Sequence, residues 1–309
     1  MENSAASRVR NLVAFALIAW GHAASAAVAP AQVPPRQGLF RGADLQFSSI
    51  DNAVSQVQAG GVLVVSEQHG NQLHYTNQKT ALAALAKTGR CKVSVGLEFL
   101  SWKYQTSISD YFDGLLSEAD FLTAVDWRGI PFSNYRDQAR FPLSYGGRLI
   151  GLNAPKSLTS AIAKSGIAQL SPQDQADMPP AFELGTQAYR ERFEMVMGTH
   201  IPPSAVDRYF EAQSTWDESM AWQSVEFLKN NPKHCLVIVV GDFHAAWDGG
   251  LPGRLRARGI PNVTVISQLE TRDLTDAEIS DELGPHPKYG VRADAIWLTQ
   301  SPPDQPTAP

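Results

Sequence analysis

Between Val62 and Ile266, short apolar runs alternate with segments whose apolar positions return every three or four residues. The runs "VLVV" (62–65), "KVSVGL" (92–97), "RLIGL" (148–152), "LVIVV" (236–240) and "VTVI" (263–266) have the length and β-branched content of buried strands. Helical spacing marks Ile50, Val54 and Val57, stopped by Gly60-Gly61, and Leu82, Leu85 and Ala86, stopped at Gly89. It returns at Ile108, Tyr111, Phe112, Leu115 and Leu116, after Asn153-Ala154-Pro155, and from about Leu251 to Arg258. Residues 170–230 hold no strand-like run, and Pro172, Pro179-Pro180 and Pro202-Pro203 divide them into helical pieces. Strands alternating with helices predict an α/β fold with a central, mainly parallel sheet and flanking helices. The 170–230 block is then a helical insertion over the carboxyl ends of the strands.

The two ends of the chain read differently. Arg8 and Arg10 precede an apolar run from Leu12 to Trp20, and the small residues Ala24-Ser25-Ala26 follow. That order predicts a cleavable signal peptide over 1–26, because the run is well short of the ~20 apolar residues that span a bilayer. Residues 27–43 are expected to be a flexible, proline-containing lead-in, 44–270 the α/β domain, and 271–309 a C-terminal extension with a disordered end. Without the signal, 24 basic residues face 30 acidic ones and no basic run survives, which argues against a nucleic-acid partner. No cysteine follows the signal, so lipid anchoring there is excluded. A soluble protein of an exported compartment, most simply a bacterial periplasm, is expected, with no transmembrane segment after cleavage. Cys91 and Cys235 are too few for a cysteine zinc site. Each precedes a strand. If those strands are parallel neighbours, the two thiols share the amino edge of the sheet and can form a disulfide.

Ligands of open parallel sheets bind beyond the carboxyl ends of the strands, so the residues leaving each run matter most. After 62–65 come Ser66-Glu67-Gln68-His69, with His74 further on; after 92–97 comes Glu98; after 148–152, Asn153; after 236–240, Gly241-Asp242-Phe243-His244. Singly, each has an ordinary reading as a helix cap, a turn residue or a surface histidine. Together, Glu67, His69, Glu98, Asn153 and His244 are expected to converge on one pocket, with Trp247 offering a flat apolar surface nearby. Glu67, His69, Glu98 and His244 are also a plausible ligand set for Mn, Co or Zn, and Glu67 with His69 could serve as general base and acid in a hydrolase. No Gly-x-Ser-x-Gly elbow is present, which argues against a serine esterase.

Five segments in order, "SEQHGNQLHYTNQ" (66–78), "GLEFLSWKYQ" (96–105), "GLNAP" (151–155), "AQSTWDESMA" (212–221) and "GDFHAAWDGGLP" (241–252), resemble the motifs of the ChaN-like haem-binding uptake proteins. That family sits in a superfamily with the Tiki metalloproteases, TraB proteins and erythromycin esterases. The resemblance implies an exported haem-binding protein serving iron uptake, with a metal-dependent peptidase or esterase as the alternative. It also implies a pocket where two Gly-x-x-His motifs meet. The second is intact as Gly241-x-x-His244, and the first has Ser66 in the glycine position. Haem-binding members stack haems face to face across a homodimer, with a tyrosine on iron and a histidine near the propionates. Here Ala246, Trp247 and Gly249 follow the second motif without a tyrosine, so Tyr135 becomes the candidate iron ligand. The haem-binding set expected on this basis is Glu67, His69, His74, Glu98, Tyr135, Asn153, Met220, His244 and Trp247.

Overall fold

Alternating side chains of β2 (Val62–Glu67) and β5 (His234–Gly241) are buried on both faces, so each strand feeds two separate apolar layers. Leu63, Val65, Val237 and Val239 face one layer, and Val62, Val64, Leu236, Ile238 and Val240 face the other. The remaining strands are β1 (Gly38–Arg41), β3 (Lys92–Ser101), β4 (Leu149–Asn153), β6 (Val263–Glu270) and β7 (Ala295–Thr299). They form one sheet in the order β1-β7-β6-β2-β5-β3-β4, parallel throughout except for β1 against β7. The computed structural model describes residues 33–198 and 200–302. The expected signal peptide (1–26), the first part of the lead-in and the last residues of the chain lie outside them.

The order of the strands positions the site. From β4 at the sheet edge the chain returns through the long helix Val206–Asn230 and places β5 between β2 and β3. Three strands that carry acidic or imidazole groups at their carboxyl ends therefore lie side by side. The 170–230 block is helical, as its pattern predicts, with helices Pro172–Ala176, Gln187–Met197 and Val206–Asn230. The last of these packs on β4 and β5 and on the flanking helices Lys156–Ser165 and Leu251–Ala257.

Three sequence expectations need correction. Gly38–Arg41 falls in the expected lead-in and Ala295–Thr299 in the expected extension, yet both are strands of the sheet. Runs of four and five residues are too short for a clear period and gain their order from neighbours, β7 lying between β1 and β6. β2, β3 and β6 also run past their apolar stretches, so Glu67 and Glu98 lie within strands and not after them. The helix expected over 50–57 is a single turn, Ile50–Ala53, followed by turns that bury Val54 and Val57. Among the described residues, no helix is long and apolar enough to cross a membrane.

At the amino edge of the sheet, Val93 of β3 is in register with Cys235 of β5. Cys91 shares the parity of Val93, so its side chain leaves the same face as that of Cys235. The two are joined in a disulfide with Cα atoms 5.6 Å apart. It closes a segment of 144 residues, a separation for which a chain-entropy estimate gives about 5 kcal/mol, near the top of the usual range. Protein unfolded without reductant should take up no iodoacetamide, whereas reduction should expose two reactive thiols and lower the thermal midpoint by several degrees. Two thiols alkylated before reduction would contradict the pairing.

Candidate functional site

Glu67 and Gly241 end their strands as register partners, and Glu98 lies one residue past the last β3–β5 pair, Leu97 with Val239. The Gly241 N–H donates to Glu98 Oε2 at 2.5 Å, tying the end of β5 to the neighbouring strand. Gly241 suits this position, since a Cβ here would sit 3.1 Å from Cε1 and Nε2 of His69 and crowd the ring. The missing side chain lets the imidazole lie over the strand end.

Glu67 is buried with every oxygen engaged. Gln78 Nε2 donates to its Oε2 at 2.6 Å, and the Tyr135 hydroxyl donates to its Oε1, which also meets His69 Nδ1 at 2.7 Å. The other imidazole nitrogen, His69 Nε2, has Glu98 Oε2 as a carboxylate neighbour at 4.0 Å and makes no hydrogen bond among the described residues. The His69 side chain is 42% exposed, and the hydrogen bond to Glu67 holds its pKa above the usual range. The ring edge of Phe99 packs against it at 5.2 Å between centroids.

His244 sits deeper. Its Nδ1 is 2.7 Å from Asp217 Oδ1, and its Nε2 is 3.5 Å from Glu98 Oε1. Burial alone would lower its pKa, but the carboxylates Asp217 and Glu98 outweigh burial and raise it to about 10. Glu98 shows the converse. Burial would raise its pKa, and the two imidazoles with the Gly241 amide bring it down to about 2. Asp217 in turn accepts from the Tyr189 hydroxyl at 2.8 Å. Carboxylate and imidazole thus alternate from Glu67 through His69, Glu98 and His244 to Asp217. An unpaired charge at these depths would cost several kcal/mol, which the alternation offsets.

Above this row lies a cavity of about 620 Å³, lined by Glu67, His69, Glu98 and His244 together with Val196, Met197, Gln213, Trp216, Phe243 and Arg292. Val196 and Met197 end the helix Gln187–Met197, while Gln213 and Trp216 belong to the helix Val206–Asn230, so the insertion roofs the strand ends. Of the five residues expected to converge, four line this cavity. Asn153 lines the neighbouring one, of about 290 Å³, which shares Glu98 and Trp216 with the first. Its side chain donates to the Glu98 carbonyl at 2.7 Å and so braces the strand that carries the carboxylate.

The other expected contacts fall elsewhere. His74 is buried, accepts from the Gln68 N–H at 2.8 Å and meets Thr299 Oγ1 at 3.0 Å. Burial lowers its pKa to about 4, and it works as a neutral brace between the 68–71 turn and β7. Tyr135 is buried behind Glu67, Met220 lies in the apolar layer under the long helix, and neither reaches the cavity. Trp247 is held between two guanidinium groups, Arg192 at 5.0 Å and Arg292 at 4.4 Å. That stack flanks Asp242, which pairs with Arg292 and accepts from Ser66 at 2.5 Å and Ser267 at 2.7 Å. As for the metal set, among the described residues no group of three or more His, Cys, Asp or Glu is arranged to hold a metal ion. Sequence reasoning missed Asp217, Gln213, Tyr189, Met197 and Arg292. Asp217 does stand inside the "AQSTWDESMA" segment, but only the packing of that helix shows it facing His244.

A family model for haem-binding uptake proteins (Tiki superfamily, ChaN) matches residues 53–255. A solved structure of ChaN from Campylobacter jejuni, described as binding haem cofacially, superimposes with a TM-score of 0.61 at 15% identity, covering 84% of this chain and 95% of that one. At that identity the likeness speaks to the fold. An erythromycin esterase mutant in its open conformation gives a TM-score of 0.45 at 11% identity, covering 74% of this chain and 76% of that one. No curated protein matches the sequence.

The charge row makes a pH signature. His244, raised to about 10 from 6.5, contributes stability that is complete below pH 6.5 and lost as pH rises through about 10. Glu98, lowered to about 2 from 4.5, contributes stability that is complete above pH 4.5 and lost as pH falls through about 2. Thermal midpoints should therefore be highest between pH 4.5 and 6.5. They should fall steadily toward pH 9, and His244→Gln should flatten that alkaline limb. An alkaline limb unchanged in the variant would place the titration elsewhere.

Proposed function

The chain belongs to the haem-binding uptake family of the Tiki superfamily (ChaN), and we propose that its strand-end cavity binds haem in the service of iron uptake. The observation that carries this reading is the make-up of the cavity. Val196, Met197, Trp216 and Phe243 offer apolar surface for a porphyrin face, while the carboxylate–imidazole row below puts two imidazoles on the cavity wall. Haem iron accepts imidazole and thioether donors, and the lining supplies both. When bound, haem would supply a redox-active iron. The chain's own part is to orient it and keep water from its faces.

Export to a periplasm belongs to the same reading. It is supported by the basic, apolar and small-residue order of the first 26 residues. The Cys91–Cys235 disulfide adds to it, since such bonds persist in oxidising compartments. A pairing of two copies that brings their haems together draws support from Met195 and Val196, which are exposed beside the cavity at 64% and 50%. A second reading, acid–base hydrolysis, rests on the Glu67–His69 hydrogen bond, in which a carboxylate orients an imidazole whose Nε2 is unbonded.

Haemin titration of the purified protein should give one saturable, stoichiometric absorbance change. Gly241→Val, whose side chain would displace His69, should weaken it at least about tenfold, or ~1.4 kcal/mol, without altering the far-ultraviolet circular dichroism. A linear, unsaturable response in the unmutated protein would turn the case toward hydrolysis.

A further inference from the structure

Resting on the haem-binding reading, we propose that Nε2 of His69 is the protein's donor to haem iron in this chain, in the role for which a tyrosine is expected. The described residues around the cavity include no tyrosine. Tyr104 lines the neighbouring cavity and not this one, and three buried tyrosines are already committed. Tyr135 is fully buried and donates its hydroxyl to Glu67. The Tyr75 hydroxyl takes the Gly70 N–H at 2.7 Å, and the Tyr189 hydroxyl donates to Asp217 at 2.8 Å. Freeing any of them would leave a buried polar group without its partner.

Three iron donors remain on the cavity wall, His69, His244 and Met197. His244 is held at both nitrogens, by Asp217 at 2.7 Å and Glu98 at 3.5 Å, and only 7% of its side chain is exposed. A thioether is a weak donor that in haem proteins accompanies a histidine. His69 differs from both. Its Nδ1 is fixed by Glu67, its Nε2 makes no hydrogen bond, and its side chain is the most open of the row.

The support behind His69 is that of a ligating imidazole. A carboxylate on the far nitrogen sets the tautomer, fixes the ring plane and raises the donor strength of the other nitrogen. Glu67 is itself immobilised by Gln78 and Tyr135, and Phe99 packs against the ring. Tyr135 thereby enters as a positioning residue two hydrogen bonds removed from the imidazole. Gly241 completes the arrangement by leaving room for the Nε2 edge.

The test is resonance Raman and electron paramagnetic resonance of the full chain loaded with haemin. The ferrous protein should show an iron–imidazole stretch. His69→Ala should remove it even in protein saturated with haemin, and added imidazole should restore it. His69→Gln serves as a second, isosteric check on folding. Glu67→Gln should lower the stretching frequency, and Tyr135→Phe should leave imidazole ligation in place. An iron–ligand signature unchanged in His69→Ala, or a phenolate signature lost in Tyr135→Phe, would overturn the assignment with haem binding intact. Absence of saturable haem binding in the unmutated protein would instead overturn the haem reading and this inference with it.

Discussion

A largely buried carboxylate near the end of a β-strand needs positive partners on more than one side, and Glu98 organises the carboxyl edge of this sheet around that need. Its two oxygens face His69, His244 and the Gly241 amide. Each of those comes from a different strand or from the turn beyond one. The arrangement exists only because β5 lies between β2 and β3 and ends in register with Glu67. Removing any one charge would leave its neighbours with fewer partners, so sheet topology and site electrostatics constrain each other. The row ends at Asp217 on one side and at Glu67, Gln78 and Tyr135 on the other, where neutral hydroxyl and amide donors take over.

The same logic explains which parts were legible in the sequence. The five apolar runs are buried on both faces and need little context, so the central strands and their parallel order class follow from the pattern. Glu67, His69, Glu98 and His244 were found because strand ends in such sheets gather at one edge. The edge strands Gly38–Arg41 and Ala295–Thr299 were not, because their order comes from pairing with each other and with β6. His74, Tyr135, Met220 and Trp247 carried the right chemistry but not the right direction. A helical or loop position does not reveal which way a side chain points until its neighbours are packed. Asp217 shows the reverse error, since an aspartate inside an amphipathic helix looks like a surface residue until the helix is laid over β5.

Two devices hold the site from a distance. The Cys91–Cys235 bond fixes the amino ends of β3 and β5, the two strands whose other ends carry Glu98 and Gly241. The guanidinium–indole stack of Arg192, Trp247 and Arg292 holds the turn after β5 through Asp242 and the Phe243 and Ala246 carbonyls. Trp247 adopts a left-handed backbone conformation (φ 57°), a strain that this stack and the Trp247 N–H bond to the Arg292 carbonyl sustain. Rigid support of this kind is what a site needs when its chemistry depends on the direction of two imidazole rings.

Anomalous diffraction at the iron absorption edge, from crystals of the protein with haemin, would locate the iron relative to His69. One iron peak per chain is expected inside the cavity over β2, β5 and β3, at bonding distance from His69, with the porphyrin against Trp216 and Phe243. An iron peak outside that cavity, or a cavity filled by a divalent ion on Glu98 with no haem, would contradict it.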